Sequence, residues 1–151
     1  MTLPETMRAI RYRAQGPAHE VLRLETCPLP QPGAGEVLVR VAASGLNPHD
    51  TKKRSGWLGG TVPAGGVIPH SDGAGEIVAL GAGVPGARLG QRVFLHGAAR
   101  QGHDGTAADY VRLPAHRAVP LPADMSFVEG AALGVPALTA WYAVLSAGRV
   151  A

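Results

Sequence analysis

The chain has 151 residues, of which 46% are hydrophobic, 17% charged and 5% aromatic, a balance that fits a soluble globular fold and excludes a disordered or fibrous one. Its 21 glycines and 13 prolines call for frequent turns and leave little room for long helices. The formal net charge of +3 is scattered along the chain. Its tightest cluster, Lys52, Lys53 and Arg54, lacks an aromatic stacking platform, so it reads as a solvated helix face and not as a nucleic-acid surface.

In chain order, Met7 to Tyr12 alternates apolar and charged side chains as an edge strand does, and Val21 to Glu25 alternates likewise. The prolines and glycines between Pro28 and Gly35 predict a rigid, turn-rich connection. Glu36 to Ala43 is β-branched and alternating, the clearest strand in the sequence. Asn47 and Pro48 then suit the cap and first position of a short helix running to about Ser55 and stopping at Gly56. Further strands are expected at Gly75 to Leu80, Arg92 to Leu95, Ala107 to Leu113 and Ala118 to Leu121. Ser126 and Glu129 have the spacing of a capping box, with an apolar face of Val128, Ala131, Ala132 and Leu133 behind them. After a break at Gly134 to Pro136, Leu138, Trp141, Tyr142 and Leu145 repeat at helical spacing. Several short strands followed by two short helices predict a mainly β fold, a small irregular β-barrel with a helical exit.

Cys27 is the only cysteine. It excludes an intrachain disulfide and a multi-cysteine zinc site and fits a reducing, cytoplasmic setting. Residues 1–13 hold no apolar core of signal-peptide length. The uncharged run from Gly130 to Gly148 reaches the roughly 18–20 residues of a membrane span. Gly134, Pro136, Thr139 and Ser146 interrupt it, however, so two short helices are expected and no membrane segment.

The pairs His49/Asp50, His70/Asp72 and His103/Asp104 offer ligand types, but no HExxH or Cys/His spacing unites three of them, so no metal site is expected. Ser44 and Ser71 lie near glycines without a GxSxG elbow, and Cys27 has no activating base nearby in sequence. Gly59-Gly60 and Gly65-Gly66 follow no strand and precede no helix, unlike a phosphate-binding loop. From the residues alone, the chain is a β-rich domain of open purpose.

Five segments, in order, resemble the medium-chain dehydrogenase/reductase superfamily. They are Gly35 to Asp50 (GEVLVRVAASGLNPHD), Ile68 to Val78 (IPHSDGAGEIV), Gly90 to Val93 (GQRV), Gly105 to Val111 (GTAADYV) and Glu129 to Ala143 (EGAALGVPALTAWYA). Relatives that hold catalytic zinc place a cysteine at the position of Asn47 and a histidine at that of Ser71, and carry a four-cysteine loop between about Val93 and Asp109. This chain has Asn, Ser and no such cysteines, so it resembles the zinc-independent NADPH:quinone oxidoreductase (zeta-crystallin-like) branch. Gln91 replaces the common aspartate of the GDRV turn.

The resemblance implies hydride transfer from NADPH to a quinone or to the β-carbon of an activated enone, with no zinc. The cofactor carries the chemistry while the protein fixes distance and polarity. Asn47 matches an asparagine beside the nicotinamide and substrate, and is equally suited to capping a helix. Thr139 matches a threonine near the nicotinamide end; a buried helix threonine bonded to its own backbone is the alternative. Lys52 stands where relatives often place a cofactor-contacting tyrosine. Trp57 is either a wall of the substrate pocket or an ordinary surface aromatic. The resemblance thus implies Asn47, Lys52 and Thr139 as cofactor contacts and Asn47 and Trp57 as substrate-pocket residues, and assigns no catalytic residue.

The resemblance also implies a GroES-like catalytic domain over residues 1–125 and a helical linker over 126–151, leading to a dinucleotide-binding Rossmann domain that the chain does not contain. The isolated chain is then expected to lack NADPH-dependent reductase activity, and Leu138, Trp141 and Leu145 to lose part of their cover. A small-molecule quinone or enone is the expected substrate, with homo-oligomers in the full-length form and neither nucleic acid nor membrane as partner. The alternative is a non-catalytic GroES-like interaction module, or one half of a split reductase.

Overall fold

Among the described residues, apolar runs flanked by glycine and proline fold into seven strands and four short helices. The computed structural model describes residues 2–57, 59–100 and 104–148. The order is β1 (Thr6–Arg11), α1 (Ala18–Val21), β2 (Arg23–Pro28), β3 (Glu36–Gly45), α2 (Pro48–Arg54), β4 (Asp72–Leu80), β5 (Arg92–Leu95), β6 (Tyr110–Pro114), β7 (Ala118–Pro120), α3 (Phe127–Ala131) and α4 (Gly134–Trp141). A π-helical turn, Tyr142–Ala147, continues α4.

The strands form two sheets and do not close into a complete barrel. β1 pairs antiparallel with β2, and a five-stranded antiparallel sheet runs in the order β6-β3-β4-β5-β7. Ala9 bridges to Ala108 between the two. The ten-residue β3 lies inside the sheet, between β6 and β4, and is covered on both faces. Val37 and Val39 join Ile77, Val93, Leu95, Val111 and Leu113 in one core. Leu38, pointing the other way as strand geometry requires, joins Met7, Ala9, Leu29 and Ile68 in the second. The uninterrupted Val37-Leu38-Val39 triplet is the sequence signature of that double burial.

Several expectations shift by a few residues for local reasons. Val21 ends helix α1, and the following strand extends to Pro28. The break before α4 falls at Ala132–Leu133, so that Gly134 and Pro136 lie inside its first turn. Proline is tolerated there because the first-turn N–H groups have no intrahelical partner. Val128 is 74% exposed and does not join the apolar face that Ala131 forms.

The helices that follow the sheet are held by named contacts. Arg92 of β5 donates to the carbonyls of Ala123 (2.9 Å) and Met125 (2.6 Å), and its guanidinium lies 4.6 Å from the Phe127 ring centroid. Ser126 Oγ accepts from the Glu129 N–H at 3.2 Å, and Glu129 Oε2 accepts from the Ser126 N–H at 2.8 Å. Ser126→Ala is expected to lower stability by about 1 kcal/mol, read as a lower urea midpoint at unchanged slope. An unchanged midpoint would show that Arg92 alone fixes the start of α3.

Candidate functional site

β3 delivers Asn47 at its end, β4 begins at Asp72, and α4 starts at Gly134; these three points converge. Asn47 is the cap residue of α2, and its backbone N–H donates to Asp50 at 2.9 Å. Its side-chain Nδ2 donates to Asp72 Oδ2 at 2.8 Å. The same oxygen accepts the backbone N–H of Val135 at 2.7 Å. Leu133, at the cap position of α4, has no side chain that can cap. Asp72 therefore caps that helix from 63 residues away, where its charge also suits the positive end of the helix dipole. Its other oxygen, Oδ1, is buried without a partner, and a Cβ added at Gly134 would lie 2.3 Å from it.

Behind this carboxylate, the Thr106 hydroxyl donates to the Asp72 backbone carbonyl. Ser44 Oγ shares hydrogen bonds with Thr106 Oγ1 at 2.8 Å and with His70 Nδ1 at 2.9 Å. His49 Nε2 shares one with Ser71 Oγ at 3.0 Å and lies 3.2 Å from Asp50 Oδ1. His70 has φ +75°, the left-handed region that non-glycine residues seldom adopt, Asn, Asp and His more often than the rest.

Three hollows meet around the first turn of α4. One, of about 250 Å³, lies between α2 and Val135 and is lined by Tyr12, His49, Asp50, Lys53, Ser71 and Arg100. A second, of about 280 Å³, shares Arg100 and Val135 with the first and adds His96, Thr139 and Tyr142. The third, of about 260 Å³, lies against Asn47, Asp72 and Pro136.

The residues singled out in the sequence are thus placed differently from one another. Thr139 is exposed and lines the second hollow. Asn47 is buried and lines the third. Lys52 and Trp57 pair with each other, the ammonium 4.3 Å from the ring centroid, and Trp57 is 69% exposed; neither lines these three hollows. In the sequence, Asp72 and His49 count only as metal-ligand types and Ser71 only as a nucleophile type, each set aside in that role. The sequence signal for Asp72 was its charge inside the apolar, glycine-rich start of a strand. Among the described residues, no three His, Cys, Asp or Glu side chains gather as a metal site. His103 lies outside the described residues.

Burial holds His70 below the usual histidine range, with Asp50 opposing. Burial, then Arg117 and His116, does the same to His96. For both, the folded pKa lies below the unfolded one, so their stabilisation is full above about pH 6.5 and is lost as pH falls through the folded value. Asp72 behaves oppositely. Burial raises its carboxyl, with the Asn47 and Val135 hydrogen bonds pulling back, so its contribution is full below the usual carboxylate range and is lost as pH rises through its folded value. The melting midpoint is expected to fall on acidification below about pH 6.5. His70→Asn, whose side chain tolerates the positive φ, is expected to flatten that fall; an unchanged acid limb would remove His70 from the account.

The fold and these motifs define a GroES-like domain of the dehydrogenase type. The chain belongs to the alcohol dehydrogenase GroES-like domain family, which it matches over residues 33–123. Within the medium-chain dehydrogenase/reductase superfamily, several of its relatives are named quinone oxidoreductases. It is 38% identical over 145 residues to the quinone oxidoreductase of Rattus norvegicus, covering 95% of this chain and 42% of the relative. The human synaptic vesicle membrane protein VAT-1 homolog-like protein superposes with a TM-score of 0.85 at 30% identity, over 96% of this chain and 45% of the other. A mycobacterial protein solved in complex with NADPH superposes with a TM-score of 0.79 at 32% identity, over 93% and 40%. The chain thus spans less than half the length of these relatives. No helix among the described residues is long and apolar enough to cross a membrane.

Proposed function

We propose that this chain supplies the acceptor-facing catalytic half of a zinc-independent, NADPH-dependent oxidoreductase that reduces quinones or activated enones. The observation that carries the reading is the first turn of α4, held by Asp72 and Asn47 and surrounded by hollows that open onto Thr139, His49 and Ser71. The rat relative is named quinone oxidoreductase, which supports the acceptor class.

The residues present fit one end of the dinucleotide. The hollow beside Thr139, His96 and Tyr142 suits a flat ring carrying a carboxamide. Among the described residues no glycine-rich turn leads from a strand into a helix as a pyrophosphate site requires. Thr139 would hold the nicotinamide end, while Lys52 and Trp57, paired with each other, would meet cofactor and acceptor only from outside these hollows. Asn47 acts from beneath, holding Asp72 and hence α4 at a fixed distance. When bound, the nicotinamide supplies a hydride to the acceptor. The chain's residues orient that acceptor, and the His49–Ser71 pair offers a proton to its carbonyl oxygen. Freedom from zinc is supported by residue type: Asn47 and Ser71 occupy the positions of the metal ligands, and each is engaged in a hydrogen bond to a neighbouring side chain.

The test is to join this chain to the remainder of the rat quinone oxidoreductase and to measure NADPH oxidation with para-benzoquinone, beside the isolated chain. The chimera is expected to turn over in a saturable way and the isolated chain not to. A folded, NADPH-binding chimera that reduces no quinone or enone would overturn the reading in favour of a binding module.

A further inference from the structure

The hollow between α2 and the start of α4 is lined by two cations, against one in the second hollow and none in the third. Lys53, on the last turn of α2, and Arg100, after β5, both line it, and among the described residues neither makes an ion pair. The one carboxylate in its wall, Asp50, is buried and already engaged by the Asn47 N–H and by His49. The Tyr12 phenol is also buried, and that burial, reinforced by Asp50 and opposed by Arg54, keeps its proton on. Val67, Pro69 and Val135 supply an apolar surface. About 250 Å³ of space takes a single ring with short substituents.

We propose that this hollow selects an anionic acceptor, a small quinone or enone bearing a carboxylate. The carboxylate lies between Lys53 and Arg100, and the carbonyl oxygen lies at the His49–Ser71 pair. The term acceptor rests on the oxidoreductase reading; the binding geometry does not. Two cations beside a partly enclosed apolar surface attract a carboxylate more strongly than the same cations in open water, because fewer waters screen the pair. Both side chains reach solvent, so the preference falls with added salt.

The experiment is an amide-resolved NMR titration of the isotope-labelled chain with para-acetylbenzoate, an unreactive compound carrying both groups, and with its neutral methyl ester. The acid is expected to shift the amides of Ser71, Ala99 and Val135 and to bind about tenfold tighter than the ester at low salt. The double variant Lys53→Ala, Arg100→Ala is expected to abolish that difference while leaving the β3 amides unchanged. His49→Ala is expected to weaken acid and ester alike. Equal binding of acid and ester, no saturable binding, or shifts confined to other faces would overturn the proposal. So would displacement of the acid by inorganic pyrophosphate binding more tightly to the same residues, since the two cations would then serve a cofactor's phosphates. No arm uses NADPH or turnover. A charge preference in the chain combined with an inactive chimera would therefore retain the site and remove the oxidoreductase reading, and the reverse combination would do the opposite.

Discussion

Asp72→Ala is expected to destabilise the fold by about 2–4 kcal/mol, because two donors lose their acceptor where water cannot fully replace it. Asp72 is 1% exposed, and its Oδ2 accepts both Asn47 Nδ2 and the Val135 N–H. Asn47 is itself buried, so its amide would be left without a partner. The start of α4 would also lose its only side-chain cap among the described residues, since Leu133 offers none. Asp72→Asn separates hydrogen bonding from charge. Its amide oxygen can occupy the place of Oδ2 and its nitrogen that of the unpartnered Oδ1, so stability at neutral pH is expected to stay close to that of the parent. The carboxyl raised by burial is also absent from that variant, and stability should then no longer decline as pH rises above the usual carboxylate range. Urea unfolding of both variants at two pH values checks this. Equal losses for alanine and asparagine would mean that the charge, not the hydrogen bonds, holds α4.

The second large effect is expected at Gly134. A Cβ there would lie 2.3 Å from Asp72 Oδ1 and 2.5 Å from its Cγ, well inside van der Waals contact. A side chain can often swing away from such a clash, but this carboxylate is pinned by two hydrogen bonds and fully enclosed. Gly134→Ala is therefore expected to destabilise by about 2–3 kcal/mol, in the range of overpacked cores, and to displace the start of α4 from β4. The pairing with Asp72 gives a further check. In the double variant Asp72→Ala, Gly134→Ala the clash is gone, so the combined loss should be smaller than the sum of the single losses. Strict additivity would show that Gly134 is required for backbone reasons and not for the space that Asp72 fills.

Much of the frame was legible in the sequence because its signals are local. Glu36 to Ala43 declared a strand through β-branching, Arg92 to Leu95 through a short apolar run between Gly90 and Gly97, and Ser126 and Glu129 a helix start through their spacing. The resemblance carried the GroES-like fold across nearly the whole chain. What stayed hidden depends on long-range partners. Nothing near Asp72 in sequence reveals that it binds residues 25 positions before it and 63 after it. The position of the helix break was misplaced by about two residues because Pro136, read locally as a breaker, is harmless in a first turn. Val128 was assigned to an apolar face because spacing alone does not reveal which side of a five-residue helix meets the sheet. Leu138, Trp141 and Leu145 are about half exposed.

The most direct measurement follows the hydride. The chimera of this chain with the remainder of the rat quinone oxidoreductase is given a cyclic enone and NADPH deuterated at the transferable position, and the product is analysed by mass and NMR. The account predicts one deuterium at the β-carbon and a solvent proton at the α-carbon. Reduced product without deuterium, or no product from a folded chimera that binds NADPH, would contradict it.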